Sequence, residues 1–151
     1  MQLPSSSSLQ KLIFWECEGV VLVPVENGGG IQENNSLLQS LSIFDCRKLF
    51  SRWPMGMGES ETICPFPASL RDLYVWKEPS MKSMALLSNL TSLTSLSLIR
   101  CSNLTVEGFN PLIIVNLKEL QVTSNNTLAA DLLSKVARTK LLPAGYISRL
   151  E

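Results

Sequence analysis

One motif recurs five times along this chain, L-x-x-L-x-φ-x-x-C/N-x-x-φ, where φ is an apolar residue. The copies run Leu9–Val20, Leu38–Leu49, Leu70–Met81, Leu93–Leu104 and Leu117–Leu128, and their leading leucines are 29, 32, 23 and 24 residues apart. A single L-x-x-L is common in helices, but five at such spacing define a repeat. After the second leucine the pattern alternates strictly: Leu12 and Phe14, Leu41 and Ile43, Leu73 and Val75, Leu96 and Leu98, Leu120 and Val122. Period two is the signature of a half-buried strand, so each copy predicts one short strand followed by a turn. No copy can cover its own leucines, so the copies must stack and share one elongated core.

The fold class that follows is α/β: a leucine-rich-repeat solenoid, or horseshoe. A parallel sheet of short strands lines the concave side, and irregular, 3₁₀ or helical segments form the convex side. The repeats are taken as 9–37, 38–69, 70–92, 93–116 and 117–146, with a sixth opening at 147–151. Coils are expected to be missing at both ends, because the first and last motifs carry no polar cap, and the chain is expected to be a fragment. The inward position of each turn calls for a small group that can bond backbone. It is Cys17, Cys46, Cys101 and Asn125, and Glu78 followed by Pro79 is the departure, so the third coil is expected to be irregular there. Ser51 to Ser69, rich in Pro and Gly, is expected to be a mobile loop that leaves Cys64 the most exposed cysteine, and 27–35 a second soft loop. Leu86–Leu90 suggests a 3₁₀ or helical turn on the convex side, and Ala129–Lys140 a short helix capped by Asn126 or Thr127.

Composition sets the excluded classes. Charged residues are 17% of the 151, against a usual share of roughly 25%, and apolar residues are 45%, which opposes disorder. Thirteen basic residues balance thirteen acidic ones, so a broadly basic nucleic-acid or membrane-surface binder is not expected. Histidine is absent, which removes the commonest general base and metal ligand. No G-x-x-x-x-G-K-[ST], G-x-S-x-G, H-E-x-x-H or C-x-x-C occurs, so no catalytic, cofactor-binding or metal-ligating set is assigned and no enzyme activity is expected. Gly28–Gly30 has no following lysine and fits a loop. No apolar run is long enough for a membrane-spanning helix, and MQLPSSSSLQ, without a basic stretch ahead of an apolar one, does not read as a signal peptide. Four cysteines without a scaffold pattern point to a reduced, cytoplasmic setting; Cys17 and Cys46, on adjacent coils, stand where a disulfide is conceivable in an oxidising one. Sequons at Asn34, Asn89, Asn103 and Asn125 fit repeat turns better than glycosylation.

Register assigns the outward residues to three columns on the concave face. The first is Ile13, Ser42, Tyr74, Ser97, Gln121; the second Trp15, Phe44, Trp76, Ile99, Thr123; the third Glu16, Asp45, Lys77, Arg100, Ser124. The second column is a strip of large apolar residues, a type of surface that marks interaction sites. The third changes sign along the solenoid, which would orient a partner of opposite polarity. The candidate partner-binding residues are Ile13, Trp15, Glu16, Phe44, Asp45, Tyr74, Trp76, Lys77, Ile99 and Arg100.

The L-x-x-L-x-I-x-x-C-x-x-L form resembles the repeat region of plant nucleotide-binding leucine-rich-repeat disease-resistance proteins over essentially the whole chain. The stretch NNTLAADLLSKVARTKLLPAGYISRLE is particularly similar to cereal members. The resemblance implies a protein-interaction or sensor segment of an immune receptor. Its partner would be a pathogen effector or the receptor's own nucleotide-binding switch domain. Neither that domain nor the N-terminal signalling domain is in this sequence, so nucleotide switching is not carried over. The alternatives are a repeat segment of an F-box type ubiquitin-ligase substrate adaptor, which also uses cysteine-bearing repeats, and a non-functional receptor remnant.

Overall fold

Each repeat supplies one five-residue strand, because the two alternating apolar residues of each motif are buried while their neighbours are not. The computed structural model describes residues 9–23, 38–53, 64–123, 131–132 and 149–150. The strands are β1 (Lys11–Trp15), β2 (Ser40–Phe44), β3 (Asp72–Trp76), β4 (Ser95–Ile99), β5 (Glu119–Thr123) and β6 (Arg149–Leu150). They form one sheet in sequence order, and every neighbouring pair is parallel. Parallel neighbours need a crossover between them; here each crossover is one coil of a solenoid-like stack.

The register is the one the motif predicts. Leu12, Leu41, Leu73, Leu96 and Leu120 are paired in one row, and Phe14, Ile43, Val75, Leu98 and Val122 in the next. All of these are buried except Leu12, which is half-buried. β6 sets Leu150 opposite Val122. That is two residues on from the L-x-x-L alignment, which would place it opposite Leu120. A shift of two preserves the alternation of faces.

Backbone geometry repeats as closely as the leucines. Before each strand one carbonyl accepts two successive N–H groups from the next coil: Gln10 from Gln39 and Ser40, Gln39 from Arg71 and Asp72, Arg71 from Thr94 and Ser95, Thr94 from Lys118 and Glu119. After each strand one residue turns left-handed and donates to the next coil: Glu16 to Phe44, Asp45 to Trp76, Lys77 to Ile99, Arg100 to Thr123. Their φ values are 48°, 52°, 55° and 56°. Glu16, Asp45, Lys77 and Arg100 of the third column therefore lie in these turns just past the strands, not on them as expected, since reversing the chain into the core requires a left-handed step; Ser124 lies outside the described residues.

The third coil is not irregular at Glu78. Lys77 makes the same turn as its equivalents, and Met81 N–H donates to the Glu78 carbonyl as Leu104 does to Cys101 and Val20 to Cys17. The second coil is the one that differs: Arg47 is also left-handed, at φ 63°, and Lys48 N–H bonds the Cys46 carbonyl.

Behind the sheet, Leu70, Met81, Leu90, Leu93, Leu104 and Leu117 complete the core. Among the described residues two 3₁₀ turns close coils, Met84–Leu87 and Pro111–Ile114. Ser83 and Asn110 cap them, their side-chain oxygens accepting from the N–H groups of Ala85 and Leu112. Between them Gly108, at φ +76°, lies so close to Ala85 that an added Cβ would stand 2.3 Å from that residue's Cβ. A side chain there would separate the two coils.

The Pro- and Gly-rich insertion is not a free loop where it meets the fold. Trp53 and Phe66 are buried at its two ends, and Phe66 packs edge-to-face on Phe50 with centroids 5.7 Å apart. Asn89 Nδ2 donates to the Phe66 carbonyl at 2.6 Å. Positions 54–63 of the insertion, the soft loop at 27–35, Asn125 and the caps Asn126 and Thr127 lie outside the described residues. Of the expected helix, Asp131 and Leu132 are helical and Leu132 is buried; the rest of its span lies outside them too.

Candidate interaction surface

The open face of the sheet is built by pairing alone. Trp15, Phe44, Trp76, Ile99 and Thr123 stand in one row across five strands, and Ile13, Ser42, Tyr74, Ser97 and Gln121 in another. Ile13 is 50% exposed and Trp15 63%, which with Leu112 and Val115 makes them the exposed large apolar residues among those described, while Phe44, Tyr74, Trp76 and Ile99 are half-buried. A fourth row at the strand starts, Lys11, Ser40, Asp72, Ser95 and Glu119, was not among the expected columns. It carries charge of both signs. It was legible as the residue before each second leucine.

The aromatic strip is diagonal, not confined to one column. Trp15 packs on Phe44 with centroids 4.7 Å apart, and Phe44 packs on Tyr74, of the first column, at 5.1 Å. Side chains two residues apart on a strand share a face, so a large ring can reach the diagonal neighbour. Trp76 is capped instead by Lys77, whose Nζ lies 4.8 Å from the ring centroid, a cation–π contact. Of the apolar side chains among the ten candidate residues, Ile13 and Trp15 are the most exposed.

Charge along the turn edge is simpler than the sequence implies. Arg47 Nε donates to Asp45 Oδ1 at 2.8 Å, so the second coil is internally paired. That hydrogen bond, ahead of the guanidinium's charge, holds the Asp45 carboxyl below the usual carboxylate range. Glu16 and Glu18 of the first coil are exposed, as is Arg100; Lys77 is half-buried. Sequence reasoning missed Arg47, whose sign is visible but whose partner depends on the left-handed turn that folds residue 47 back over residue 45.

Beneath this edge runs the ladder Cys17, Cys46, Glu78, Cys101. Glu78 is wholly buried, accepts a hydrogen bond from Ser80 Oγ, and leaves Oε2 without a partner. Burial raises its pKa, and hydrogen bonding from Ser80 and from the backbone of Leu49 and Arg47 offsets part of the rise. Ser80 Oγ in turn accepts from Phe50 N–H at 2.9 Å, which ties the second coil to the third. The cysteines are free thiols. Burial pushes Cys46 up to about 11 and Cys101 up to about 12. Cys64 is half-buried, with its Sγ 3.2 Å from Ser88 Oγ and in contact with the Ala85 carbonyl at 3.7 Å, so it is not the freely exposed cysteine expected of a loop. Native-state labelling with a disulfide reagent at pH 8 is therefore expected to modify Cys17 and Cys64 well before Cys46 and Cys101, read by mass spectrometry. Equal rates at all four would contradict the burial.

Of the sequons, Asn89 is half-buried with its amide bonded to Phe66, and Asn103 donates to the Pro79 carbonyl at 2.9 Å. Among the described residues no group of three or more Cys, Asp or Glu could hold a metal ion, and no helix is long and apolar enough to cross a membrane. No family model, curated protein or solved structure matches this chain.

Proposed function

We propose that the chain is a leucine-rich-repeat interaction segment of the type found in plant nucleotide-binding disease-resistance receptors, and that it works in the cytoplasm. In this reading the coils curve into a horseshoe and the open sheet face is its concave side. The strip from Trp15 to Trp76 takes a protein partner, either a pathogen effector or the receptor's own nucleotide-switch domain. The observation that carries the binding role is the contiguous apolar strip with Ile13 and Trp15 half or more exposed, because monomeric proteins seldom leave such patches without use. The repeat's resemblance supports the receptor assignment.

The test begins with the transcript. An in-frame nucleotide-binding domain upstream is expected, and an F-box there would replace the reading. That domain, expressed separately, is then titrated with the full chain and with the double variant Trp15→Ala/Trp76→Ala. The variant is expected to lose binding at least tenfold while losing no more than about 2 kcal/mol of stability, since Trp15 is exposed, the Trp15–Phe44 pair is worth about 1 kcal/mol and the Lys77 contact with half-buried Trp76 about 1 kcal/mol. Loss of the folded state instead would show that these rings are core.

A further inference from the structure

We infer that the segment received by this strip is an extended, dipolar peptide lying across the strands, with a basic residue over the first coil, apolar residues in the middle and an acidic residue over the third and fourth coils. The inference rests on the open face being a docking surface and adds the partner's chemistry and orientation.

Three observations carry it. First, the charge at the turn edge is divided along the stack. Glu16 and Glu18 are exposed on the first coil, Asp45 is hydrogen-bonded on the second to Arg47, whose guanidinium also feels the charge of Glu16 and Glu18 beside exposed Lys48, and Lys77 and Arg100 follow on the third and fourth. Glu78, next in sequence to Lys77, is wholly buried and lies beneath that surface. Second, the apolar strip spans the same coils: Trp15 and Phe44 are in ring contact, Phe44 reaches Tyr74, and Trp76 lies against the Lys77 ammonium. The cationic end is thus joined to the apolar centre. Third, β2, β3 and β4 are hydrogen-bonded to a strand on each side. A peptide on this face cannot add as a strand there and is held through side chains, crossing the sheet.

The spacing is set by the sheet. Parallel strands stand about 4.8 Å apart, so the first coil is about 10 Å from the third and about 14 Å from the fourth. An extended peptide advances about 3.3 Å per residue. Its basic and acidic residues should therefore be about three to four positions apart, with apolar residues between them.

The experiment is selection of a displayed random 12-residue peptide library on the full chain, with counter-selection on Trp15→Ala. Enriched sequences are expected to carry Lys or Arg and Asp or Glu about three to four positions apart around an apolar centre. A synthetic enriched peptide should bind at least tenfold more weakly to Glu16→Lys/Glu18→Lys and to Lys77→Glu/Arg100→Glu. Its binding should also weaken with added salt. The neutral pairs Glu16→Gln/Glu18→Gln and Lys77→Met/Arg100→Met, which carry no reversed charge, should show smaller losses in the same order and replace any reversed variant whose melting temperature falls. Peptides lost on Trp15→Ala but with no charge spacing, or indifferent to all four charge variants, overturn this inference and leave the docking surface standing. No enrichment, or equal binding to Trp15→Ala, overturns both.

Discussion

Phe66→Ala is expected to lower the stability of the chain by about 3–5 kcal/mol, the usual range for removing a buried aromatic side chain. Phe66 is 1% exposed and stacks edge-to-face on Phe50, itself 1% exposed, and its carbonyl accepts the Asn89 amide. Truncation would leave a cavity between the second and third coils. In a stacked repeat, stability is a sum of coil and nearest-neighbour terms, so the lost contact cannot be shared out over a globular core. Urea unfolding followed by circular dichroism measures it. A loss below about 1 kcal/mol would show that Phe66 is not packed as described. The control is Ile13→Ala, where a half-exposed side chain should cost less than about 1 kcal/mol.

Glu78→Gln is expected to raise stability at pH 7 by on the order of 2 kcal/mol, because it removes a buried charge and the desolvation penalty of a buried polar group, larger when it is charged, is on that scale, and to remove a pH dependence. The folded chain holds Glu78 above its ordinary value of 4.5 because burial opposes the charged form. Over the window that begins near 4.5 and ends at the raised value, the folded state binds more protons than the unfolded one. Stability must then fall as pH rises through that window, and be least affected below it. Glutamine keeps the shape and an acceptor for Ser80 Oγ without a charge. Melting curves of both proteins at several pH values decide it: they should converge near pH 4 and separate toward pH 7, by roughly 4–8 °C. A variant that melts lower at every pH would show that the carboxylate form is stabilised by the N–H groups around it.

The two predictions fall where local pattern and neighbourhood diverge. Glu78 stands in a position that the other coils fill with cysteine, so an acidic residue followed by proline reads as a break. The turn forms all the same, because Lys77 takes the same left-handed step and the backbone bonds to the next coil do not depend on the side chain at 78. The break in pattern is accommodated chemically, by Ser80, and not by distorting the coil. Likewise Phe66 lies in a stretch whose prolines and glycines suggest a loop. Its burial follows from the ring of Phe50, sixteen residues earlier, which no periodicity links to it.

The interaction surface divides in the same way. That Trp15, Phe44, Trp76 and Ile99 share a row was legible from alternation, since counting two from the second leucine of each copy fixes the register. That Phe44 meets Tyr74 diagonally, that Lys77 covers Trp76, and that Arg47 pairs with Asp45 was not legible. These contacts depend on side-chain directions after a left-handed residue.

The amino-acid sequence by itself determined the number and order of the described strands β1 to β5, their faces, and the leucines of the common core. A strand's period of two and a coil's length are local properties, and stacking merely repeats them. Tertiary structure alone decided which residues outside the motif join the core, where the edge charge is cancelled, and how a carboxyl group is housed among thiols. Those contacts fall at separations the repeat does not encode, Arg47 two residues from Asp45, Ser80 two from Glu78 and thirty from Phe50, Phe66 sixteen from Phe50, and they depend on side-chain directions that no periodic pattern carries.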